Sequence, residues 1–402
     1  MLTQPMLTLD NVYHAAFVLR EIARKTDLIP APQIGENCSV YLKTENLQVT
    51  GSFKVRGAYY KISQLTSAEK EKGVIACSAG NHAQGVALAA AKNHISSLIC
   101  IPATAPISKV EATKRYGAEV CLVQGVYDDA HDKAVELQKE TGRTLIHPFD
   151  DPDVIAGQGT IGLEILDQMP DADVVLVPVG GGGLASGVAF TIKSLRPSCK
   201  VYGVQAAGAA SMEHALQTKK PEGVEEVHTF ADGIAVKCPG DLTYKLCSKY
   251  LDGVITVSED EIAAAILTLI EQQKLITEGA GAVSVAAVLA NKLDLKGKKV
   301  VCLLSGGNID VTILSKVISR GLLKSGRSAE LTFKLLDRPG ELSTISSTIA
   351  KLGGNVVGVY HDRSDLETDV SGCFLRIRME TRNAEHIEQI RRALEAEGYP
   401  SI

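Results

Sequence analysis

One side chain in this sequence that could bond covalently to a ligand is a lysine set among small residues and glycines. Lys54 is the fifth residue of the run TGSFKVRGA, residues 50–58. A free lysine has a pKa of about 10.4 and is mostly protonated at neutral pH, so it must be activated before it can react with a carbonyl group. Condensation with a bound aldehyde provides that activation, because the resting Schiff base stores the amine in reactive form. An isolated G-S-x-K tetrapeptide is more often a surface segment, and only further motifs favour chemistry at Lys54.

The second motif is a small-residue loop that follows a predicted buried strand. Residues 78–85 have the sequence SAGNHAQG, after the apolar residues 73–77 and before an alanine-rich helix. The first N–H groups of a helix lack intrahelical partners and carry the positive end of its dipole, which favours an anion. Asn81 could reach a phenolic oxygen or a carboxylate there, although an asparagine in this position also commonly caps a helix.

Consecutive glycines follow a second predicted strand. The run DVVLVPV, residues 173–179, is typical of a strand buried on both faces of a parallel sheet. In the glycine loop 180–183 the lack of side chains would let backbone N–H groups approach a phosphate closely. The loop also fits a loose GxGxxA dinucleotide pattern, which requires an acidic residue about 20 positions later. The next strand ends at Gln205 instead, and this disfavours a nicotinamide cofactor.

The fourth motif again places small polar residues at the end of a predicted buried strand. The strand KVVCLL, residues 299–304, leads into SGGN, residues 305–308. Ligands of open α/β sheets bind beyond the carboxyl ends of the strands, which is where Ser305 would lie. Its hydroxyl could form a hydrogen bond with a heteroaromatic nitrogen without carrying charge, although a serine here can also be an ordinary turn residue.

Together these motifs resemble those of the pyridoxal-phosphate (PLP) enzymes of the tryptophan-synthase-β type (fold type II), and most closely those of the threonine dehydratases, or threonine ammonia-lyases. The resemblance covers about residues 7–323 and includes the runs HPFD at 147–150 and AGQGT at 156–160. It implies an α/β, two-lobed tryptophan-synthase-β-like PLP fold over residues 1–325, with a smaller lobe at about 50–145 that closes on the larger one. Pyridoxal 5'-phosphate is the implied cofactor.

The resemblance also implies roles for individual residues. Lys54 would be the catalytic residue and carry the cofactor as a Schiff base, with Phe53 packed against it. Asn81 would contact the 3-oxygen of the cofactor, and Ser305 its pyridine nitrogen. The implied phosphate-binding residues are Gly180, Gly181, Gly182, Gly183 and Leu184. The implied substrate-binding loop contains Ser78, Ala79, Gly80 and His82, although a structural role for the histidine is the simpler expectation.

The implied reaction is deamination of L-threonine to 2-oxobutyrate and ammonia, and also of L-serine to pyruvate. Lys54, freed when the substrate binds, would remove the Cα proton as general base. A hydroxyl partner such as Ser305 would leave the pyridine nitrogen unprotonated. The ring would then be a weaker electron sink, and loss of the β-hydroxyl would compete well with racemisation.

Two alternatives remain open on the same scaffold. Serine racemases resemble this chain in every cofactor motif but have a serine in place of Ala79, whose hydroxyl acts as acid or base on the opposite face of the substrate. Alanine there favours elimination. Such racemases also bind a divalent cation through acidic residues near Gln205 and Ser211, and since neither carboxylate is present we predict no metal site. The second alternative, a catalytically silent amino-acid sensor with the PLP fold, is disfavoured by the presence of both Lys54 and Ser305.

A change of pattern after residue 325 predicts a second domain, residues 326–402. Residues 321–328 predict a linker, and alternating strands and amphipathic helices follow in the order β-α-β-β-α. With DRPGEL at 337–342, this order resembles an ACT domain, a ferredoxin-like α+β module that senses amino acids and pairs through its sheet. The resemblance implies an amino-acid effector, with isoleucine as the hypothesis and a passive oligomerisation domain as the alternative. A last strand at 399–402 would be short and contain a proline, which could leave the sheet edge incomplete.

The composition restricts the class of protein further. With 402 residues, 45% of them hydrophobic, the chain is long enough for two or three compact units. No run approaches the roughly 18 apolar residues of a membrane span, and the first ten residues show no secretory signal. A net charge of −5 with both signs interspersed provides no basic stripe for nucleic acid. Nine cysteines without Cys-x-x-Cys spacing favour reduced thiols in the cytoplasm, and we expect a homodimer or homotetramer without nucleic-acid or membrane partners.

Overall fold

The computed structural model of the protein describes residues 7–365, residue 367 and residues 369–402. The first six residues lie outside the described residues. They are part of the predicted catalytic domain and of the first ten residues, for which no secretory signal was predicted. Within the described ranges no helix is both long and apolar enough to cross a membrane. The chain divides into two compact units, Met1–Asp310 and Val311–Ile402.

Strands and helices alternate along most of the chain. In chain order the strands are β1 Leu28–Pro30, β2 Ser39–Lys43, β3 Val74–Cys77, β4 Ser97–Pro102, β5 Glu119–Val123, β6 Thr144–Leu145, β7 Val174–Pro178, β8 Lys200–Ala206, β9 Gly253–Val257, β10 Lys299–Leu303, β11 Ser328–Leu336, β12 Asn355–Asp362 and β13 Gly372–Glu380. The helices are α1 Leu9–Val18, α2 Lys54–Ser63, α3 Ser67–Lys72, α4 Asn81–Lys92, α5 Ile107–Arg115, α6 Tyr127–Thr141, α7 Pro152–Gln168, α8 Gly183–Leu195, α9 Ser211–Thr218, α10 Asp241–Tyr250, α11 Glu259–Thr268, α12 Gly279–Leu289, α13 Val311–Lys324, α14 Glu341–Lys351 and α15 Ala384–Ala396.

The larger sheet of the first unit contains six strands in the order β1-β2-β10-β7-β8-β9. All neighbouring strands are parallel except β1, which pairs antiparallel with β2. Every residue of β7 is buried, because helices cover both faces of a parallel sheet and leave no solvent-facing side for polar residues. The predicted α/β class is therefore confirmed. The three apolar runs that precede polar or glycine-rich loops form the strands β3, β7 and β10.

The smaller sheet of the first unit has four parallel strands in the order β5-β4-β3-β6. The alanine-rich helix α4 packs against α2 on this sheet, since its small side chains allow a close approach. A Cβ on Gly85 would lie 3.2 Å from the backbone of Lys54. The composition of α4 thus fixes the position of the helix that carries the lysine.

The second unit contains a three-stranded antiparallel sheet in the order β11-β13-β12, covered on one face by α14 and α15. Phe333 of β11 is completely buried in this core. The chain end adds to the free edge of β11: Ser401 forms a β-bridge with Phe333, and the N–H of Ile402 donates to the carbonyl of Thr332 at 3.0 Å. The short terminal segment therefore does pair with the sheet despite its proline.

The predicted linker at 321–328 differs from the structure. Helix α13 continues to Lys324, and only residues 325–327 separate it from β11. Gly321 lowers helix stability by about 1 kcal/mol relative to alanine, which a long helix tolerates. Leu322 and Leu323, which follow the glycine, are good helix formers, so the glycine did not mark a helix end.

Candidate active site

One cavity of about 1330 Å³ lies where the carboxyl ends of the strands of both sheets of the first unit face each other. It is lined by every residue that the sequence predicts for cofactor or substrate binding. These residues are Phe53, Lys54, Ser78, Ala79, Gly80, Asn81, His82, Gly180, Gly181, Gly182, Gly183, Leu184 and Ser305. The structure thus brings four distant motifs together around one space, while the roles of the individual residues stay predictions.

Lys54 is the first residue of α2, and its amine points into the cavity wall. The Nζ atom donates a hydrogen bond to the carbonyl of Pro148 at 2.8 Å and lies 5.3 Å from the centre of the Phe53 ring. Burial lowers the pKa of Lys54 to about 8, because it disfavours the charged ammonium, and Glu278 only partly opposes this effect. The amine is therefore neutral in a much larger fraction of molecules than a surface lysine would be.

A buried ion network holds the start of α2 in place. Arg56, two residues after the lysine, is 1% exposed and donates to Glu45 at 2.8 Å and to Glu164 at 2.7 Å. On the same helix, Gly57 packs against Gly157 of α7. A Cβ added to Gly157 would lie 2.7 Å from the Cα of Gly57. These contacts join α2 to the larger lobe and hold the backbone of Lys54 in place.

Asn81 belongs to a chain of hydrogen bonds that crosses the cavity wall. Its Nδ2 donates to Oε1 of Glu278 at 2.7 Å, and its Oδ1 accepts from Nδ2 of Asn308 at 2.7 Å. Asn308 also donates to the carbonyl of Thr50 at 2.8 Å. Burial raises the pKa of Glu278 to about 7, with the charge of Asp232 as the next cause, while the hydrogen bond from Asn81 acts in the opposite direction.

No sequence motif predicted Glu278, which lies at one end of this chain of hydrogen bonds. Glu278 directly precedes α12 and contacts Asn81 across 197 positions of sequence. A single glutamate before a glycine and alanine-rich helix gives no local sign of such a contact. Asn308 was part of a recognised motif but had no predicted role.

The glycine loop forms the opposite side of the cavity and leads into α8. Gly182 has φ +98°, a conformation that favours glycine, and a Cβ on Gly181 would lie 2.4 Å from the Phe149 ring. The hydroxyl of Thr243 donates to the carbonyl of Gly181 at 2.6 Å, which fixes the orientation of this peptide. Because the first N–H groups of α8 have no intrahelical acceptors, the loop is suited to a phosphate dianion.

Ser305 follows β10 and is 2% exposed. Its Oγ donates to the carbonyl of Ala280 across 3.4 Å, a long and therefore weak hydrogen bond. The hydroxyl can exchange this bond for one to a ligand nitrogen that lies in the cavity, and it would do so without adding charge.

His82 is buried against the wall of the smaller lobe. Its Nε2 lies 2.8 Å from the carbonyl of Ile146, so this nitrogen carries the proton and donates. Burial lowers the pKa of His82 to about 3, and the nearby Lys54 adds to this effect. A neutral histidine held in this way favours a structural role in the loop. Two residues earlier, a Cβ on Gly80 would meet no atom within 4 Å, so the loop is open at that point.

The side chain of Gln205, at the end of the predicted strand, forms hydrogen bonds within the protein. The Gln205 side chain is fully buried, donates to the carbonyl of Ala209 at 3.1 Å and accepts from the N–H of Glu213 at 2.9 Å. It therefore organises the turn before α9 and provides no carboxylate for a ribose hydroxyl.

The residues present fit pyridoxal 5'-phosphate. A glycine loop that leads into the first N–H groups of α8 suits its phosphate, a partly buried amine with a lowered pKa suits its aldehyde, and a weakly bonded serine hydroxyl suits its ring nitrogen. These three features border the same cavity, and each provides the chemistry that one end of the cofactor requires.

Comparison with known protein families agrees with this chemistry. Residues 19–306 match the family described as "Pyridoxal-phosphate dependent enzyme", and residues 329–396 match the ACT domain. The chain belongs to the pyridoxal-phosphate dependent enzyme family and carries a C-terminal ACT domain.

Individual relatives resemble the chain over most of its length. It is 50% identical over 396 residues to an "L-threonine ammonia-lyase" of Thermotoga maritima, and the match covers 98% of each chain. The solved structure of the processed form of threonine deaminase isoform 2 from Solanum lycopersicum has a TM-score of 0.74 and 38% identity, and the match covers 80% of this chain and 91% of that one. The structure of maize serine racemase also has a TM-score of 0.74, with 33% identity over 78% of this chain and 98% of that one.

Proposed function

We propose that this protein is a PLP-dependent threonine ammonia-lyase, which converts L-threonine to 2-oxobutyrate and ammonia. The observation that carries the proposal is the partly buried amine of Lys54, with a pKa lowered to about 8, in a cavity that the glycine loop and Ser305 also line. The relative with 50% identity over nearly the whole chain is named for this activity.

The proposed roles follow from where each side chain lies. Pyridoxal 5'-phosphate supplies an aldehyde for the amino group of the substrate and a ring that withdraws electrons from its Cα. Lys54 holds the cofactor between turnovers and, when released, takes the Cα proton as general base. The glycine loop binds the phosphate, and Ser305 binds the ring nitrogen without protonating it. Asn81, held by Glu278 and Asn308, orients the 3-oxygen side of the ring.

The proposed reaction is balanced by one water leaving and one entering. Loss of the Cα proton and of the β-hydroxyl, which leave together as water, gives aminocrotonate. Addition of water to its imine tautomer gives 2-oxobutyrate and ammonia. Residues from both lobes line the cavity, and closure of the smaller lobe on the larger one would keep water from the product until this last step. L-Serine would give pyruvate in the same way.

Serine racemisation is the second candidate, because the maize enzyme has the same fold at 33% identity. Racemisation needs an acid or base on each face of the substrate Cα. In this chain the position where racemases have a serine is Ala79, which lines the cavity and has no proton to give. Elimination is therefore the favoured outcome.

The ACT domain gives the enzyme a place to bind an amino-acid effector. We propose feedback by isoleucine, which fits a role as the first step of isoleucine biosynthesis, and a functional boundary near residue 325 between catalytic and regulatory domains. We further propose a homodimer or homotetramer in the cytoplasm. The cytoplasmic location is supported by nine cysteines that are all free, although Cys100 lies opposite both Cys77 and Cys121 on its neighbouring strands.

The test is release of 2-oxo acid from the purified holoenzyme with L-threonine, L-serine and L-threonine plus isoleucine. Rapid formation of 2-oxobutyrate, suppressed by isoleucine, would support both the lyase and its regulation. Activity unaffected by isoleucine would support the lyase alone. Failure to release a 2-oxo acid from either substrate, with the cofactor bound, would contradict the proposed reaction.

A further inference from the structure

Three side chains with metal-binding atoms converge at one end of the ACT-domain sheet. Asp337 directly follows β11, His361 lies near the end of β12, and Cys373 is the second residue of β13. One carboxylate oxygen, one imidazole nitrogen and the sulfur all lie within 4.8 Å of one another. This group is far from the proposed cofactor site in the sequence and belongs to the other compact unit.

The strand register explains why these residues meet. Cys373 pairs with Leu335 of β11, and Asp337 is two residues further on, so it points to the same face. His361 pairs with Leu375, two residues from Cys373, which again places both on one face. The convergence is therefore a consequence of the fold and does not depend on the position of a flexible side chain alone.

The two oxygens of Asp337 have different neighbours. Oδ1 lies 3.6 Å from Nε2 of His361, while Oδ2 forms an ion pair with Nε of Arg363 at 3.0 Å. Arg363 thus orients the carboxylate from behind and leaves the other oxygen directed at the histidine and the cysteine. Metal ligands commonly have such an outer partner, which fixes their orientation.

We propose that Asp337, His361 and Cys373 form a binding site for a divalent transition metal of the zinc type. Thiolate, imidazole and carboxylate are the three side-chain donors that zinc uses in proteins, and a thiolate ligand disfavours magnesium and calcium. Asp337 and His361 are each about one third exposed, so an ion can reach the site from solvent, while Cys373 forms its buried floor. Three protein ligands leave a fourth position for water or for a donor atom of a bound amino acid.

The same three residue types could instead suggest a nucleophilic cysteine with a histidine base. Burial raises the pKa of the Cys373 thiol, with the charge of Asp337 as the next cause, whereas a nucleophilic cysteine needs a lowered pKa. A bound metal ion reverses this preference, because it takes the thiolate as a ligand and the thiol proton passes to solvent. The environment therefore does not suit a nucleophile.

The test is titration of the metal-free, full-length holoenzyme with Co²⁺, followed by displacement with Zn²⁺. Tetrahedral Co²⁺ with a thiolate ligand has visible d–d absorption at longer wavelengths than the cofactor absorbs. We expect one such ion per chain, and binding at least about tenfold weaker in His361→Ala and Cys373→Ser. Cys238→Ser and His228→Ala, at exposed positions of the other unit, are the matched controls and should bind like the wild type.

Cys373 is buried, so its variant could fail for structural reasons. Asp337→Asn and His361→Ala change partly exposed side chains, and circular dichroism would verify their folding. The proposal is overturned if the wild type shows no thiolate-bound Co²⁺. It is also overturned if folded His361→Ala and Asp337→Asn bind Co²⁺ with wild-type affinity and spectrum.

Discussion

At the scale of single residues, the pKa of Lys54 is the property that bears most directly on activity. With a pKa of about 8 in place of 10.5, roughly 300 times more of the amine is neutral at pH 7. The cause is burial, which the charge of Glu278, itself buried, only partly opposes. The site thus obtains a reactive amine from its position in the fold and needs no adjacent base.

Lys54→Ala should lower turnover of L-threonine by at least about 10²–10⁴-fold, because it removes the proposed general base as well as the covalent attachment point. The fold should survive, since the network of Arg56, Glu45 and Glu164 that anchors α2 is untouched. Steady-state 2-oxobutyrate release and the thermal unfolding midpoint test this pair of expectations. Lys72→Ala, at an exposed lysine of α3, is the control. A Lys54→Ala enzyme with near-normal turnover would rule out the assignment.

Glu278 makes the stability of the protein depend on pH. Its pKa is raised from 4.5 to about 7, so between these values the folded state keeps a proton that the unfolded chain releases. Its contribution is fully present below pH 4.5 and is lost as pH rises through 7. Glu278→Gln cannot titrate but keeps an oxygen that can accept from Asn81. The free energy of unfolding of this variant, relative to the wild type, should therefore rise by up to roughly 3 kcal/mol between pH 4.5 and pH 8.

Thermal or urea unfolding of both proteins at several pH values measures this difference. If the difference between Glu278→Gln and the wild type is the same at pH 4.5 and pH 8, the glutamate does not have a raised pKa in the folded protein. At pH 4.5 both side chains are neutral in the folded protein, so a difference in stability measured there is an offset that does not depend on titration and is subtracted in the comparison.

Ala79 is the residue whose replacement should change which product forms. Ala79→Ser would place a hydroxyl on the cavity wall at the position where serine racemases have one. We expect D-serine to appear from L-serine, with elimination correspondingly reduced. Chiral chromatography of the reaction measures both products, and Ala79→Gly, which adds no hydroxyl, is the control. The hypothesis is wrong if the serine variant forms no more D-serine than the glycine variant.

At the scale of elements, the loop between β7 and α8 is the proposed binding site of the cofactor phosphate. Gly181→Ala should weaken cofactor binding by roughly tenfold or more, because its Cβ would lie 2.4 Å from the Phe149 ring and overpacking costs about 1–3 kcal/mol. Equilibrium dialysis with pyridoxal 5'-phosphate measures the affinity. The control is Gly358→Ala in the second unit, where the nearest atom to a new Cβ is at 3.7 Å. Equal affinities in both variants would contradict the cradle.

Elements whose signals are local were predictable from the sequence, and those that depend on distant partners were not. The strands before Gly180 and Ser305 are apolar runs that end in small residues, so both the strand and its ligand-facing end could be recognised. The contact of Asn81 with Glu278 joins residues on different lobes, and no spacing indicates it. Likewise, residues 321–328 were predicted to form a linker, whereas the leucines after Gly321 continue α13. The pairing of Ser401 with Phe333 depends on the free edge of β11, which only the folded sheet defines.

At the scale of the whole molecule, the ACT domain has meaning for catalysis only if its ligand changes the affinity or rate of the other unit. Coupling between two such sites typically amounts to about 1–3 kcal/mol, a 5–150-fold change in affinity. Because this coupling is reciprocal for binding, isoleucine should weaken L-threonine binding by the same factor by which L-threonine weakens isoleucine binding. Isothermal titration of the holoenzyme with isoleucine, and 2-oxobutyrate release over a range of threonine concentrations, measure the two sides. Valine and serine are the comparison ligands. Absence of binding heat with all of these amino acids would leave the ACT domain as an oligomerisation module, whereas isoleucine binding without any change in threonine kinetics would mean that the two units are not coupled.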